Sequence, residues 1–110
     1  MVKQSSKLDA VFGTLSDPTR RKIFERLARG ELTAGELAAG FDLSQSAISK
    51  HAKILEVSGL AKRKVSGRNH HFRLAPRAMT PASTWIQTQR AFWERSFDRI
   101  ETLLAEEGSS

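Results

Sequence analysis

Residues 33–55 restrict the fold more than any other stretch of this chain. Thr33 and Glu36 stand three positions apart, the spacing at which a hydroxyl and a carboxylate cap a helix start reciprocally. Leu37 and Ala38 form the inward side of the short helix that follows. Residues 40–43, Gly-Phe-Asp-Leu, make a tight connector. Ser44 can cap a second helix, which runs to about residue 58 with Ala47, Ile48, Ala52, Ile54 and Leu55 inward. Gly59 is placed to end it. Two short capped helices around a tight connector have helix–turn–helix proportions.

The flanking segments fit one arrangement. Leu8, Val11, Phe12 and Leu15 follow a loose tail at residues 1–7 and fall at the i, i+3, i+4, i+7 spacing of an amphipathic helix. Asp17 then suits an N-cap and Pro18 a first helical turn. Ile23, Phe24, Leu27 and Ala28 form the buried face of the second helix, and Gly30 ends it. Residues 60–65 and 69–74 read as strands. Ser66, Gly67 and Arg68 join them, a glycine-containing hairpin connection. Thr80 and Pro81 open a last helix running to about residue 106, before a loose end at 107–110. The expected fold is mainly α with a small β-hairpin. Its order is helix, helix, helix–turn–helix, hairpin, long helix. That is a winged helix–turn–helix, in one domain over residues 8–106.

The formal net charge is +6, and where it sits matters more than its size. Residues 50–77 hold Lys50, Lys53, Lys62, Arg63, Lys64, Arg68, Arg73 and Arg77 against Glu56 alone, a net of +7. The flanks are close to balanced, +1 over residues 1–49 and −2 over 78–110. A basic stretch that coincides with the second helix and the hairpin predicts a polyanionic partner, double-stranded DNA.

In a helix–turn–helix the second helix enters the major groove and offers its N-terminal residues to base edges. Here those are Ser44, Gln45, Ser46, Ser49 and Lys50, with His51 and Lys53 further along. Gln45, Ser49 and Lys53 form one i, i+4, i+8 row beside Ser46 and Lys50. Glutamine can bond adenine twice, lysine can donate to guanine, and serines allow close approach. The competing reading is an ordinary solvated polar helix. In the hairpin, Lys62, Arg63, Lys64, Arg68 and Arg73 are all positive, whereas strand edges charged for solubility carry mixed signs. They are expected to grip phosphates, with Arg68 at the tip. His51 suits a phosphate or local hydrogen-bond role better than a metal. His70 and His71 point to opposite faces of a strand and make a poor chelating pair.

The last helix carries both tryptophans, two phenylalanines and four aliphatic residues over a wide arc. A chain of 110 residues has little core left to cover them. The expected use is a homodimer interface made with the first helix, from Leu8, Val11, Phe12, Trp85, Phe92, Trp93, Phe97, Ile100 and Leu104. A pocket for an apolar ligand lined by Trp85, Phe92 and Trp93 competes with it. The helix's acidic balance disfavours a membrane surface.

Several classes are excluded. There is no cysteine, so no disulfide, thiolate metal site or cysteine redox switch can form. No apolar run approaches the roughly 20 residues of a membrane span, and the polar opening residues are no signal peptide. A cytoplasmic location is expected. Catalysis needs convergent groups, yet the chain has no glycine-rich phosphate loop, no Gly-x-Ser-x-Gly, no tyrosine and no paired carboxylates. It reads as no enzyme, with no cofactor.

The residues resemble the ArsR/SmtB family of winged-helix repressors over about residues 8–105. The resemblance rests on LSDPTRRKI at 15–23, ELA at 36–38, LSQSAISKH at 43–51, LE at 55–56 and SGL at 58–60, specific in combination. It implies a homodimer paired through first and last helices that blocks transcription from a palindromic operator. It gives base reading to Gln45, Ser46, Ser49 and Lys50, and a wing role to Arg68 and its neighbours. Metal-sensing members often carry a Glu-Leu-Cys-x-Cys stretch, where residues 31–35 read ELTAG. Others use Asp and His on the last helix, which has no histidine here. The chain therefore resembles metal-independent members with a Phe-Trp-Glu last helix, FWE at 92–94. A metal-responsive repressor with an atypical site and a winged-helix protein-interaction module are the alternatives. The resemblance names no inducer.

Overall fold

A computed structural model describes the backbone of residues 2–108 and the side chains of residues 6–108. In order come α1 (Val2–Leu15), α2 (Pro18–Leu27), β1 (Leu32–Thr33), α3 (Ala34–Ala38), α4 (Gln45–Val57), β2 (Ala61–Ser66), β3 (Asn69–Leu74) and α5 (Thr80–Gly108). Helix α1 begins at Val2, so residues 2–7 are helical where a loose tail was expected. Likewise α5 continues through Glu107 to Gly108, while residues 109–110 of the expected loose end lie outside the described residues.

The helix boundaries follow the capping chemistry. Asp17 Oδ2 accepts from Arg20 N–H at 3.0 Å, with Pro18 in the first turn. Thr33 Oγ1 accepts from Glu36 N–H at 3.1 Å, and Glu36 Oε1 accepts from Thr33 N–H at 2.8 Å. Ser44 Oγ accepts from Ala47 N–H at 3.1 Å. Helix α4 ends in a Schellman turn: Gly59 takes φ 86° and donates to Glu56 O, while Leu60 N–H reaches back to Leu55 O. That turn feeds the chain directly from α4 into β2.

The sheet has three strands in the order β1-β3-β2, all antiparallel. Strand β1 was not expected. Its two residues, Leu32 and Thr33, pair with Phe72 and His71 just where the capping box begins, so Thr33 serves both elements. The hairpin is tighter than read from sequence. Ser66 pairs with Asn69, leaving a two-residue Gly67-Arg68 turn. Gly67 takes φ 62° and Arg68 does not turn positive, the sign pattern of a type II′ turn, which matches the twist of paired strands.

One core holds these elements together: Val11, Ile23, Leu27, Leu37, Ile48, Ala52, Leu55, Leu60, Ala61, Phe72 and Ala82. Two inward expectations fail. Ile54 is 43% exposed, because Ile48, Ala52 and Leu55 already fill the i, i+4, i+7 face of α4. Ala28 lies exposed past the end of α2. Helix α5 contributes Ala82 alone to the buried core and runs outward from it. Among the described residues, no helix is long and apolar enough to cross a membrane.

Candidate nucleic-acid interface

The core-facing stripe of α4 fixes what the helix offers to solvent. With Ile48, Ala52 and Leu55 buried, Gln45, Ser46 and Lys50 are exposed, Ser49 is half-exposed, and Lys53 ends the row. Gln45, Ser46, Ser49 and Lys50 have no protein partner for their side chains among the described residues. Ser44 differs, since its hydroxyl is committed to the cap. The N-terminal half of α4 thus presents polar groups whose hydrogen-bonding capacity is open.

The hairpin packs beside this row. Gln45, Ser49 and Lys53 on α4 share one depression of about 220 Å³ with Arg63 and His70 of the hairpin, floored by Phe72. Strand pairing divides the hairpin cations. Residues opposite one another across an antiparallel ladder share a face, and Arg63 is opposite the buried Phe72, so Arg63 faces the body. Lys62 is opposite Arg73 and Lys64 is opposite His71, which places those cations on the other face. The sequence reading treated the five as one set. The structure joins Arg63 to the polar row of α4, puts Arg68 in the exposed turn, and groups Lys62, Lys64 and Arg73 separately. A lysine directly across from an arginine is unfavourable without an anion nearby.

Ion pairs tie the two parts. Arg63 Nη2 lies 3.3 Å from Glu56 Oε1, and Lys53 Nζ lies 3.5 Å from the same oxygen. Arg63 Nη1 is 3.5 Å from His70 Nδ1, and His71 Nδ1 is 3.4 Å from Glu31. His51 turns toward α2, with Nδ1 3.4 Å from Arg20 Nη1 and 3.9 Å from Asp17 Oδ2. Its ring therefore lies against α2 and outside the Gln45, Ser49 and Lys53 row. The Asp17 carboxyl is held below the usual carboxylate range, chiefly by the Arg20 N–H it accepts. Glu36 is lowered likewise, chiefly by the Thr33 N–H. Among the described residues, no three His, Asp or Glu side chains gather where they could hold a metal ion.

Three arginines of α2, Arg20, Arg21 and Arg26, have structural roles that the sequence pattern did not single out. Each caps the C-terminal end of another helix, where carbonyls lack intrahelical partners. Arg20 Nε donates to Thr14 O at 2.8 Å, and Arg21 Nη1 donates to Leu15 O at 2.8 Å. Arg26 donates to Leu37 O and Ala39 O at 2.6 Å and to Glu36 O at 2.9 Å, with its guanidinium 5.5 Å from the Phe41 ring centroid. The available signal was the requirement itself: short helices need donors at their ends.

Of the residues expected at a dimer interface, Val11 is a correction. At 2% exposed it belongs to the core and can face no partner. Leu8 is half-buried against that core, and Phe12 is 39% exposed, edge-on to Trp85 at 5.6 Å. Trp85, Phe92, Trp93, Phe97, Ile100 and Leu104 are all exposed. Phe92 and Trp93 meet edge-on at 5.8 Å and Trp93 and Phe97 lie tilted at 6.0 Å between centroids, so the three form a continuous apolar band along the helix.

Known proteins share this arrangement. A helix-turn-helix domain family matches residues 15–63. The HTH-type transcriptional regulator Rv2034 of Mycobacterium tuberculosis is 34% identical over 91% of this chain and 91% of its own length. The transcriptional repressor SdpR of Bacillus subtilis is 33% identical over 72% of this chain and 88% of its own. A solved ArsR family transcriptional regulator, RHA00566, superposes with a TM-score of 0.73 at 35% identity, covering 80% of this chain and 91% of that one. The chain belongs to the ArsR family of winged-helix transcriptional regulators. The fold alone is also shared with a homodimeric winged helix-turn-helix domain from Mycobacterium bovis, at TM-score 0.62 and 19% identity over 82% of this chain and 81% of that one. As an ArsR family member the chain is a DNA-binding regulator of the ArsR/SmtB repressor type, and it is not an enzyme.

Proposed function

We propose that this ArsR family member is a homodimeric repressor that reads a palindromic operator without a metal ion. The observation that carries this reading is the open polar row at the start of α4, set beside an all-positive hairpin. Ser44, Gln45, Ser46, Ser49 and Lys50 enter the major groove. Gln45 and Lys50 read base edges, and the serines let the helix approach. Lys53, Lys62, Arg63, Lys64 and Arg73 meet phosphates, and Arg68 at the turn reaches the adjacent backbone or minor groove. His51 supports α4 from behind through Arg20 and Asp17.

The exposed band of α5 supports the homodimer. A two-fold pair places two recognition helices about one DNA turn apart, roughly 34 Å, and so demands a palindrome. Metal independence is supported by the ELTAG stretch at residues 31–35 and by a last helix with no histidine. Loss of DNA from the dimer relieves the block on transcription.

The test is a fluorescence anisotropy titration in EDTA. The probe is a labelled duplex from the upstream region of the chain's own gene, set against a shuffled duplex. Binding at least tens-fold tighter to the upstream duplex, unchanged by Zn²⁺, supports a metal-independent autoregulator. Specific binding that Zn²⁺ abolishes overturns metal independence. Equal weak binding to both duplexes overturns autoregulation.

A further inference from the structure

Glu56 is the lone acid among residues 50–77. It rises from the C-terminal half of α4, half-buried, with Oε1 shut off from solvent and accepting no hydrogen bond. Two cations hold that oxygen: Lys53 Nζ, one turn earlier on α4, and Arg63 Nη2, across on β2. Keeping a desolvated carboxylate is costly unless opposite charge offsets it. A surface made only to attract DNA would omit it, because it cancels part of the local charge.

The place of the pairing is informative. Lys53 and Arg63 border the depression that also holds Gln45 and Ser49. Lys53 belongs to the recognition row, while Arg63 belongs to the wing. One carboxylate therefore sets the spacing between two parts of the DNA-facing surface. Long cationic side chains left unpaired sample many rotamers and follow any phosphate. Held by a shared carboxylate, they keep one geometry.

We propose that Glu56 is a positioning residue for sequence discrimination, holding Lys53 and Arg63 in fixed register and withholding them from phosphates of non-cognate DNA. The inference rests on the DNA-reading role given above. Its physical content is a trade: weaker binding to arbitrary DNA in return for a larger difference between right and wrong sequences. Specificity is a difference of affinities, and suppressing the wrong complex enlarges it.

Two variants test it on the full chain. Wild-type protein first enriches a duplex from a random-sequence library. Affinities for that duplex and a shuffled one are then measured across salt concentrations. Glu56→Gln keeps the size and frees the cations. On the shuffled duplex its affinity should rise about tenfold near 0.1 M salt for each added phosphate contact, with the log–log salt slope steeper by about one. The enriched duplex should gain less, so the selectivity ratio falls. Glu56→Asp keeps the charge and shortens the reach, and it should lower selectivity at wild-type net charge. Thermal melting confirms that both variants fold.

Equal gains on both duplexes in Glu56→Gln, with selectivity retained in Glu56→Asp, would reduce Glu56 to plain repulsion and overturn the proposal. An unchanged salt slope in Glu56→Gln overturns it as well. If wild-type protein enriches no sequence, the DNA-reading role itself fails and takes this inference with it. Enrichment by the wild type with undiminished selectivity in both variants removes this inference alone.

Discussion

Gln45 and Arg68 meet DNA for different reasons in the proposed complex, and the difference is measurable. Gln45 stands on a rigid helix with its amide unpaired, so its contribution depends on which base it faces. Gln45→Ala, or Lys50→Ala beside it, should cost roughly 1–3 kcal/mol on the cognate duplex and relax base preference at one position. Titration against single-base variants reads this, and an equal loss on cognate and shuffled duplexes would remove the base-reading role. Arg68 sits at an exposed turn, where only the backbone or a groove edge is within reach. Arg68→Ala should weaken all duplexes and make the salt slope shallower by about one; an unchanged slope takes Arg68 out of the contact set. At this scale the caps were legible, because Asp17, Thr33 and Ser44 act on donors two or three residues away. Glu56 was visible only as an isolated acid. Its partner Arg63 is brought to it by the Schellman turn at Gly59 and the return of β2 along α4, a juxtaposition that no local pattern encodes.

Helix α3 has five residues, too few to be stable alone, so its ends must be held from outside. At its N-terminus stands the Thr33–Glu36 box. At its C-terminus Arg26 takes three carbonyls. Arg26→Leu keeps the packing stem but leaves those carbonyls without their donor. It should destabilise the fold by about 2 kcal/mol, read as a lower denaturant midpoint with unchanged m-value. An unaltered midpoint would mean that water replaces the guanidinium without loss. The caps also set an acid limit. Asp17 and Glu36 both have carboxyls held below their usual range, so folding favours their ionised forms. The stability they add is present above the ordinary carboxylate range and is lost as pH falls through their lowered values. Melting temperature should hold level from about pH 7 to 5 and then drop below about pH 4. Asp17→Asn can still cap but has no charge to lose, so it should flatten part of that drop; a drop of the same depth would assign it to other carboxylates. The helices were readable because apolar period and cap types agree along the sequence. Strand β1 was not, since two residues carry no alternation and exist as a strand only through β3.

At the scale of the molecule the shape is not that of a self-sufficient domain. The Cα radius of gyration is 19.7 Å with extents of 73 × 34 × 20 Å, against about 13 Å for a compact chain of this length. The excess comes from α5, whose 29 residues span about 43 Å while only Ala82 enters the core. Beyond Trp85 the helix carries Phe92, Trp93, Phe97, Ile100, Leu103 and Leu104, each at least half exposed. An apolar band of that length exceeds what a monomer leaves in water, and a two-fold copy of the same band can cover it. The sequence pointed to this helix through its surplus of aromatic residues, but it could not separate Val11, which the core needs, from Phe12, which borders α5. That distinction depends on how α1 is rotated against α2. The consequence is a clean separation of assembly from folding. Trp93→Glu combined with Phe97→Glu places two charges in the centre of the band and touches nothing in the core. Sedimentation should show monomer, thermal melting of the winged-helix body should persist, and affinity for a palindromic duplex should fall to that for a single half-site. A dimer that survives both substitutions would place the two-fold contact elsewhere, leaving α5 to another partner.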